Sequence, residues 1–178
     1  MRRDGCACND GVVSDHPTFS AGARQGVRDL IDLHEGRHPV PLLDDAAIGM
    51  LLRSSRRIAV IGASSDPARP SHEILAYLLR AGYDAVPVTP GATEILGRTA
   101  YPTLADAVAA TGAFDIVDVF RRPEFCAEHA REAVAAGAGT LWLQLGIASW
   151  EAARIASEAG LGIVMDRCIL VEHRRLVR

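Results

Sequence analysis

The chain contains no lysine; all 19 of its basic side chains are arginine. Without a Gly-Lys-Ser/Thr sequence there is no Walker-type phosphate loop. No apolar run reaches the roughly 18 residues of a membrane-spanning helix. Arg2 and Arg3 are not followed by the apolar segment of a secretory signal, so the chain is expected to be cytoplasmic. A net charge of -3 gives no electrostatic reason to expect nucleic acid or an anionic membrane as partner. Cys6, Cys8, Cys126 and Cys168 do not have the spacing of a disulfide framework for 178 residues. Cys6 and Cys8 form C-x-C with His16, His34 and His38 not far away, but the usual zinc spacing is missing and no metal site is expected. Neither G-x-S-x-G nor H-E-x-x-H occurs. His72, His129 and His173 are scattered, so no nucleophile–base pair stands out and no catalytic residue is assigned.

The informative stretch is 57–75. Ile58-Ala59-Val60-Ile61 is an apolar run without polar alternation, as in a parallel strand covered on both faces. Gly62 permits a sharp turn and close approach of a ligand, and Ser64 and Ser65 add hydroxyls. A helix follows, and its first amides and dipole make the turn a place for an anion. This corner is not the dinucleotide fingerprint, because Gly62 is its only glycine. The next strand ends in Val88-Thr89-Pro90, with no acid at its tip to hold a ribose diol, which disfavours NAD.

In chain order, 1–20 is polar and without period and is expected to be disordered. A weak helical face over 23–34 is ended by Gly36, and Pro39 and Pro41 forbid a restart. Residues 1–43 are read as an extension that docks on the domain or on a partner and is dispensable for folding; 44–178 is the domain proper. Asp44 caps a short helix leading into the strand at 58–61. A helix over 70–81, a strand over 84–88, a helix opened by Thr103, and a strand over 114–120 follow. A helix then starts at Pro123 and is ended by Gly137. The last elements are a strand over 140–145, a helix capped by Ser149 and a strand over 162–165. Strands alternating with helices predict an α/β, Rossmann-like doubly wound sheet of about five parallel strands with helices on both faces.

Ligands of such sheets lie outside the C-terminal strand ends. Here those ends offer Gly62, Ala63, Ser64 and Ser65; Thr89 and Pro90; Phe120, Arg121 and Arg122; Gln144, Gly146 and Ile147; and Cys168. They are rich in hydroxyl, guanidinium and amide and poor in carboxylate, which suits an anion. Arg121 and Arg122 can grip phosphate, one of them on each face of the strand, or remain a solvated pair. Gln144 follows an otherwise apolar strand and needs a partner, backbone or ligand. Cys168 stands beside Arg167, which would favour its thiolate, or it is a buried inert thiol.

The blocks GASSDPARPS, VDVFRRPE, LWLQLGI and MDRCI occur in the order and spacing of the small stand-alone CoA-binding proteins. That family shares its domain with the nucleotide-binding half of the succinyl-CoA synthetase α subunit. The chain resembles it over roughly 44–173. The resemblance implies a Rossmann-like domain that binds coenzyme A or an acyl-CoA through the loop from Gly62 to Ser71, including Arg69 and Pro70, and through the other strand ends. Where the family often has Asn before the proline, this chain has Thr89. The resemblance supplies no reaction. The alternatives are an NAD(P)-dependent oxidoreductase, and an interaction module that uses CoA as effector through residues 1–43.

Overall fold

The computed structural model describes residues 20–177. Cys6, Cys8 and His16, and nearly all of the stretch expected to be disordered, lie outside the described residues. Two helices come first, α1 (Ala21–His34) and α2 (Asp45–Ser54). They are followed by β1 (Arg57–Ile61), α3 (Pro70–Arg80), β2 (Asp84–Val88) and the hairpin β3 (Glu94–Ile95) and β4 (Arg98–Thr99). The remainder is α4 (Leu104–Thr111), β5 (Ile116–Val119), α5 (Pro123–Ala135), β6 (Thr140–Leu143), α6 (Trp150–Glu158), β7 (Gly162–Val164) and α7 (Ile169–Leu176). The strands outside the hairpin form one parallel sheet in the order β2-β1-β5-β6-β7. The expected doubly wound, Rossmann-like α/β sheet is therefore present.

Alternation along the strands divides the core. Ile58 and Val60 face Ile48, Leu52, Ile74, Leu75, Leu78 and Ile169 of α2, α3 and α7. Ala59 and Ile61 face Leu104, Ala107, Cys126, Ala130, Ala133, Ala152, Ala153 and Ala156 of α4, α5 and α6. The alanine-rich faces of α5 and α6 let these two helices lie close to each other and to the sheet, because little more than a methyl group separates them. No helix among the described residues is long and apolar enough to cross a membrane.

The described part of the extension, 20–43, docks on this second face. Leu30, Leu33, Val40 and Leu42 pack against the α4–α5–α6 core. The expected boundary at 43/44 falls in a segment tied to the sheet, since the Leu43 amide donates to the Ile163 carbonyl at 2.9 Å. Asp44 caps α2 as expected, accepting from the Ala47 amide at 2.8 Å. The final helix, α7, has no counterpart in the expectations from sequence. It closes the α2–α3 face, and Asp45 binds Arg175 and Arg167 across it. These guanidinium contacts hold the Asp45 carboxyl well below the usual carboxylate range.

Candidate functional site

The chain leaves β1 for β2 on one side and returns to β5 on the other, so the loops after β1 and β5 diverge from adjacent strand ends. That divergence opens a crevice at the switch point of the sheet. Gly62 has φ +82°, and a Cβ there would lie 2.6 Å from the Phe120 carbonyl oxygen. Its amide donates to the Val88 carbonyl at 2.9 Å. The two loops therefore touch backbone to backbone, which only glycine allows.

Beyond Gly62 the loop is held by its own bonds. Asp66 donates its amide to Ser64 Oγ at 3.1 Å, Ala68 donates its amide to Asp66 Oδ1 at 2.9 Å, and His72 Nδ1 donates to the Ser64 carbonyl at 3.0 Å. Two helices begin at the crevice, α3 after Arg69 and α5 after Arg122, each with proline in its first turn and neither with a side-chain cap. By contrast, Ser20, Asp44, Thr103 and Ser149 cap α1, α2, α4 and α6. The first-turn amides of α3 and α5 thus lack a capping side chain, and the positive ends of both dipoles meet at one place.

The crevice is a depression of about 620 Å³ lined by Gly62, Ala63, Ser64, Arg69, Pro70, Ser71, Thr89, Phe120, Arg121, Arg122, Pro123, Gly146 and Ile147. Among the described residues the lining contains no carboxylate, thiol or imidazole. Arg69 is 3.9 Å from Asp66, and Arg122 is 3.5 Å from Glu124 with its guanidinium over the Phe125 ring. Arg121 makes no ion pair among the described residues. Phe120 is half-buried against the α2–α3–α7 core and still borders the depression. Thr89 Oγ1 accepts from the Gly91 amide at 3.3 Å, which leaves its hydroxyl hydrogen available.

Four residues expected from sequence do not line the depression: Ser65, Pro90, Gln144 and Cys168. The Gln144 side chain has a partner within the protein. It is buried, and its Nε2 donates to both carboxyl oxygens of Asp118, at 2.8 and 3.0 Å. Asp118 is 0% exposed, paired between Val60 and Trp142 in the sheet. Burial pushes its carboxyl up to about 8, against the smaller opposing effect of the Gln144 bond. Cys168 sits at the start of α7, packed against the core on that face, and Arg167 is engaged by Asp45 at 2.7 Å and Glu172 at 3.4 Å. Cys126 is buried with its thiol pushed up to about 12, chiefly by burial, and it faces the Arg121 and Arg122 carbonyls. It is correspondingly unreactive.

Sequence reasoning also missed Asp166. Its backbone has φ +54°, its Oδ1 accepts from the Gly146 amide at 2.6 Å, and its Oδ2 lies 2.6 Å from His34 Nε2. It thereby fixes the turn that closes one side of the depression. A short acid after a strand is a signal for this left-handed geometry.

The model of a CoA-binding domain family matches residues 56–174. The chain belongs to this CoA-binding domain family. A relative, the uncharacterized protein YneT of Bacillus subtilis (strain 168), is 39% identical over 128 residues, spanning 72% of this chain and 93% of YneT. Among solved structures, a hypothetical protein from Pyrococcus horikoshii OT3 superposes with a TM-score of 0.72 at 38% identity, covering 76% of this chain and 94% of that one. The cell-free ID.343 protein from Thermus thermophilus gives 0.70 at 39% identity, covering 75% and 99%. All residues lining the depression fall inside the matched CoA-binding domain, whereas α1 and α2 precede it.

Proposed function

We propose that this protein binds CoA or an acyl-CoA in the depression at the β1/β5 switch. In this reading the Gly62–Ser64 backbone and the first turns of α3 and α5 receive the phosphates, Arg121 grips one of them, and Phe120 borders the adenine. The observation that carries the reading is the meeting of Arg69, Arg121 and Arg122 with two helix starts that lack side-chain caps, in a depression to which the described residues contribute no carboxylate. We assign it no reaction of its own, since its lining offers groups that bind and orient an anion rather than groups that move protons.

Calorimetry with CoA, dephospho-CoA, NAD and NADP tests this. CoA is expected to bind and NAD is not; tighter binding of NAD than of CoA sinks the reading. Arg121→Ala is expected to lose about 1.5–3 kcal/mol, the range for a hydrogen bond to a charged group. That is roughly a ten- to hundred-fold weakening of CoA. Arg122→Ala is expected to lose less, because Arg122 is shared with Glu124 and its side chain is 74% exposed. If neither variant weakens CoA even about threefold, a factor worth well under 1 kcal/mol, the ligand lies elsewhere.

A further inference from the structure

A second cavity, of about 670 Å³, separates α1 from the first turns of α5 and α6. The helix therefore holds the domain around a gap, at a few identifiable places. At Gly26 it touches α5, where an added Cβ would lie 2.5 Å from Pro123 Cβ. At Asp29, only 4% exposed, it reaches α6. There Oδ2 accepts from the Trp150 amide at 3.0 Å, while Oδ1 accepts from Gln25 Nε2 at 2.8 Å. At its last residue, His34 Nε2 donates to Asp166 Oδ2 at 2.6 Å. Asp166 carries this contact inward. Its Oδ1 accepts from the Gly146 amide at 2.6 Å, and its own amide donates to the Ile147 carbonyl at 3.2 Å.

The two polar anchors bracket segment 146–150, which joins the turn after β6 to the start of α6. Gly146 and Ile147 line the arginine depression, as does Pro123, whereas no residue of α1 lines it. The turn has little of its own to hold it. The Ile147 amide donates to the Gln144 carbonyl at 2.9 Å, Gly146 stands at φ +81°, and an added Cβ there would meet nothing within 4 Å. So open a glycine turn must be ordered when a ligand docks on it, and that ordering subtracts from affinity. Contacts from behind reduce this cost before the ligand arrives. Because α1 precedes the matched CoA-binding domain, its contacts are additional to the domain's own.

We infer that α1 sets the affinity of the depression from behind, with Asp29 and His34 as positioning residues for segment 146–150. Neither touches the ligand. The inference rests on the CoA reading above and adds how the extension regulates that site. Such coupling is reciprocal: if docked α1 tightens CoA, bound CoA tightens the docking of α1 by the same factor.

The test is calorimetry with CoA on variants of the full chain. Asp29→Ala removes the acceptor of the Trp150 amide and is expected to weaken CoA roughly three- to tenfold, the scale of one hydrogen bond. Asp29→Asn keeps an acceptor oxygen and is expected to stay within about twofold of wild type. His34→Ala, at a side chain 69% exposed, is expected to weaken CoA about two- to threefold. Gly82→Ala controls for stability alone. It strains the chain just before β2, at the end of the sheet away from the depression, and is expected to melt lower while keeping CoA affinity. CoA should also slow amide exchange in α1 more than in α2, which likewise precedes the matched domain but packs on the opposite face. The excess should vanish in Asp29→Ala. Wild-type CoA affinity in both Asp29→Ala and His34→Ala, or equal losses in Asp29→Ala and Gly82→Ala, overturns the inference and leaves the CoA site standing. Exchange in α1 that CoA slows no more than in α2 does the same. A wild-type protein that does not bind CoA overturns the CoA reading itself.

Discussion

Gly62→Ala is expected to lower the melting temperature by roughly 5–15 °C, on the basis of about 2–4 °C per kcal/mol for a chain of this size, and to remove measurable CoA binding. Two costs combine. An alanine held at φ +82° costs about 1–2 kcal/mol. Its methyl group would also meet the Phe120 carbonyl at 2.6 Å, and forcing extra volume into a packed place costs about 1–3 kcal/mol. The clash cannot be relieved by turning a side chain, because the obstructing atom is backbone at the end of a central strand. Relief must move the β1 loop away from the β5 loop, and those loops are the two sides of the depression. Gly82→Ala is the control. Gly82 has φ +93° but nothing within 4 Å of the place a methyl group would take, so it carries the strain without the clash. Differential scanning calorimetry of both variants separates the two costs. Equal melting temperatures, or a Gly62→Ala protein that binds CoA normally, would show that the loops do not meet as described.

Asp118→Asn is expected to stabilise the protein progressively as pH rises from about 4 to about 8, and to do little below pH 4. The Asp118 carboxyl has an ordinary value near 4 and is pushed up to about 8 by burial. Between those values the folded chain holds a proton that the unfolded chain has released. Its contribution is therefore fully present below pH 4 and is lost as pH rises through about 8. The loss approaches about 1.4 kcal/mol per pH unit within that window. Above it, a carboxylate is buried with one amide as its hydrogen-bond donor, which is the costly state. Asparagine keeps an oxygen for Gln144 and carries no charge, so its stability should be nearly flat over the same range. The difference curve between wild type and variant isolates Asp118 from other groups. His173, held below its ordinary value by burial, loses its contribution as pH falls, and Asp45 loses its contribution only at still lower pH. Urea unfolding at several pH values provides the measurement. A difference curve without slope between pH 5 and 8 means that Asp118 is ionised and satisfied in the folded protein.

The parts of the fold that could be read from sequence are those with local causes. Thr103 and Ser149 cap their helices by accepting the Asp106 and Ala152 amides, and the glycine corner after β1 is visible in a short run of residues. The features missed depend on register or on distant chain. Asp118 pairs with Trp142 in the sheet, so Gln144, two residues further along the chain from Trp142, becomes its diagonal neighbour on the same face. A single sequence contains no register between strands, so it shows that Gln144 needs a partner without showing that Asp118 is one. The last helix is hidden because Cys168 supplies no side-chain cap and the helix is fixed by Asp45 from the other end of the domain. The lining of the second cavity is hidden for a related reason. Gly22 and Gly26 read as helix-weakening residues until α1 is seen against Pro123 and Glu124.

The crossing of the chain at the β1/β5 switch has a consequence for folding. Ile58 pairs with Ile116, and every strand contact between these neighbours waits for the whole segment between them to be placed. Loop 62–71 and loop 120–123 then come together only when the sheet has closed at its centre, so no early fragment of the chain presents both sides of the depression. Closing so long a loop makes this pairing an entropically slow step. A ligand held across the two loops would act as a fastener on that step, binding only the completed sheet and raising its stability with concentration. It would slow amide exchange in β6 and β7, strands that it never touches, by holding shut the opening through which they reach water.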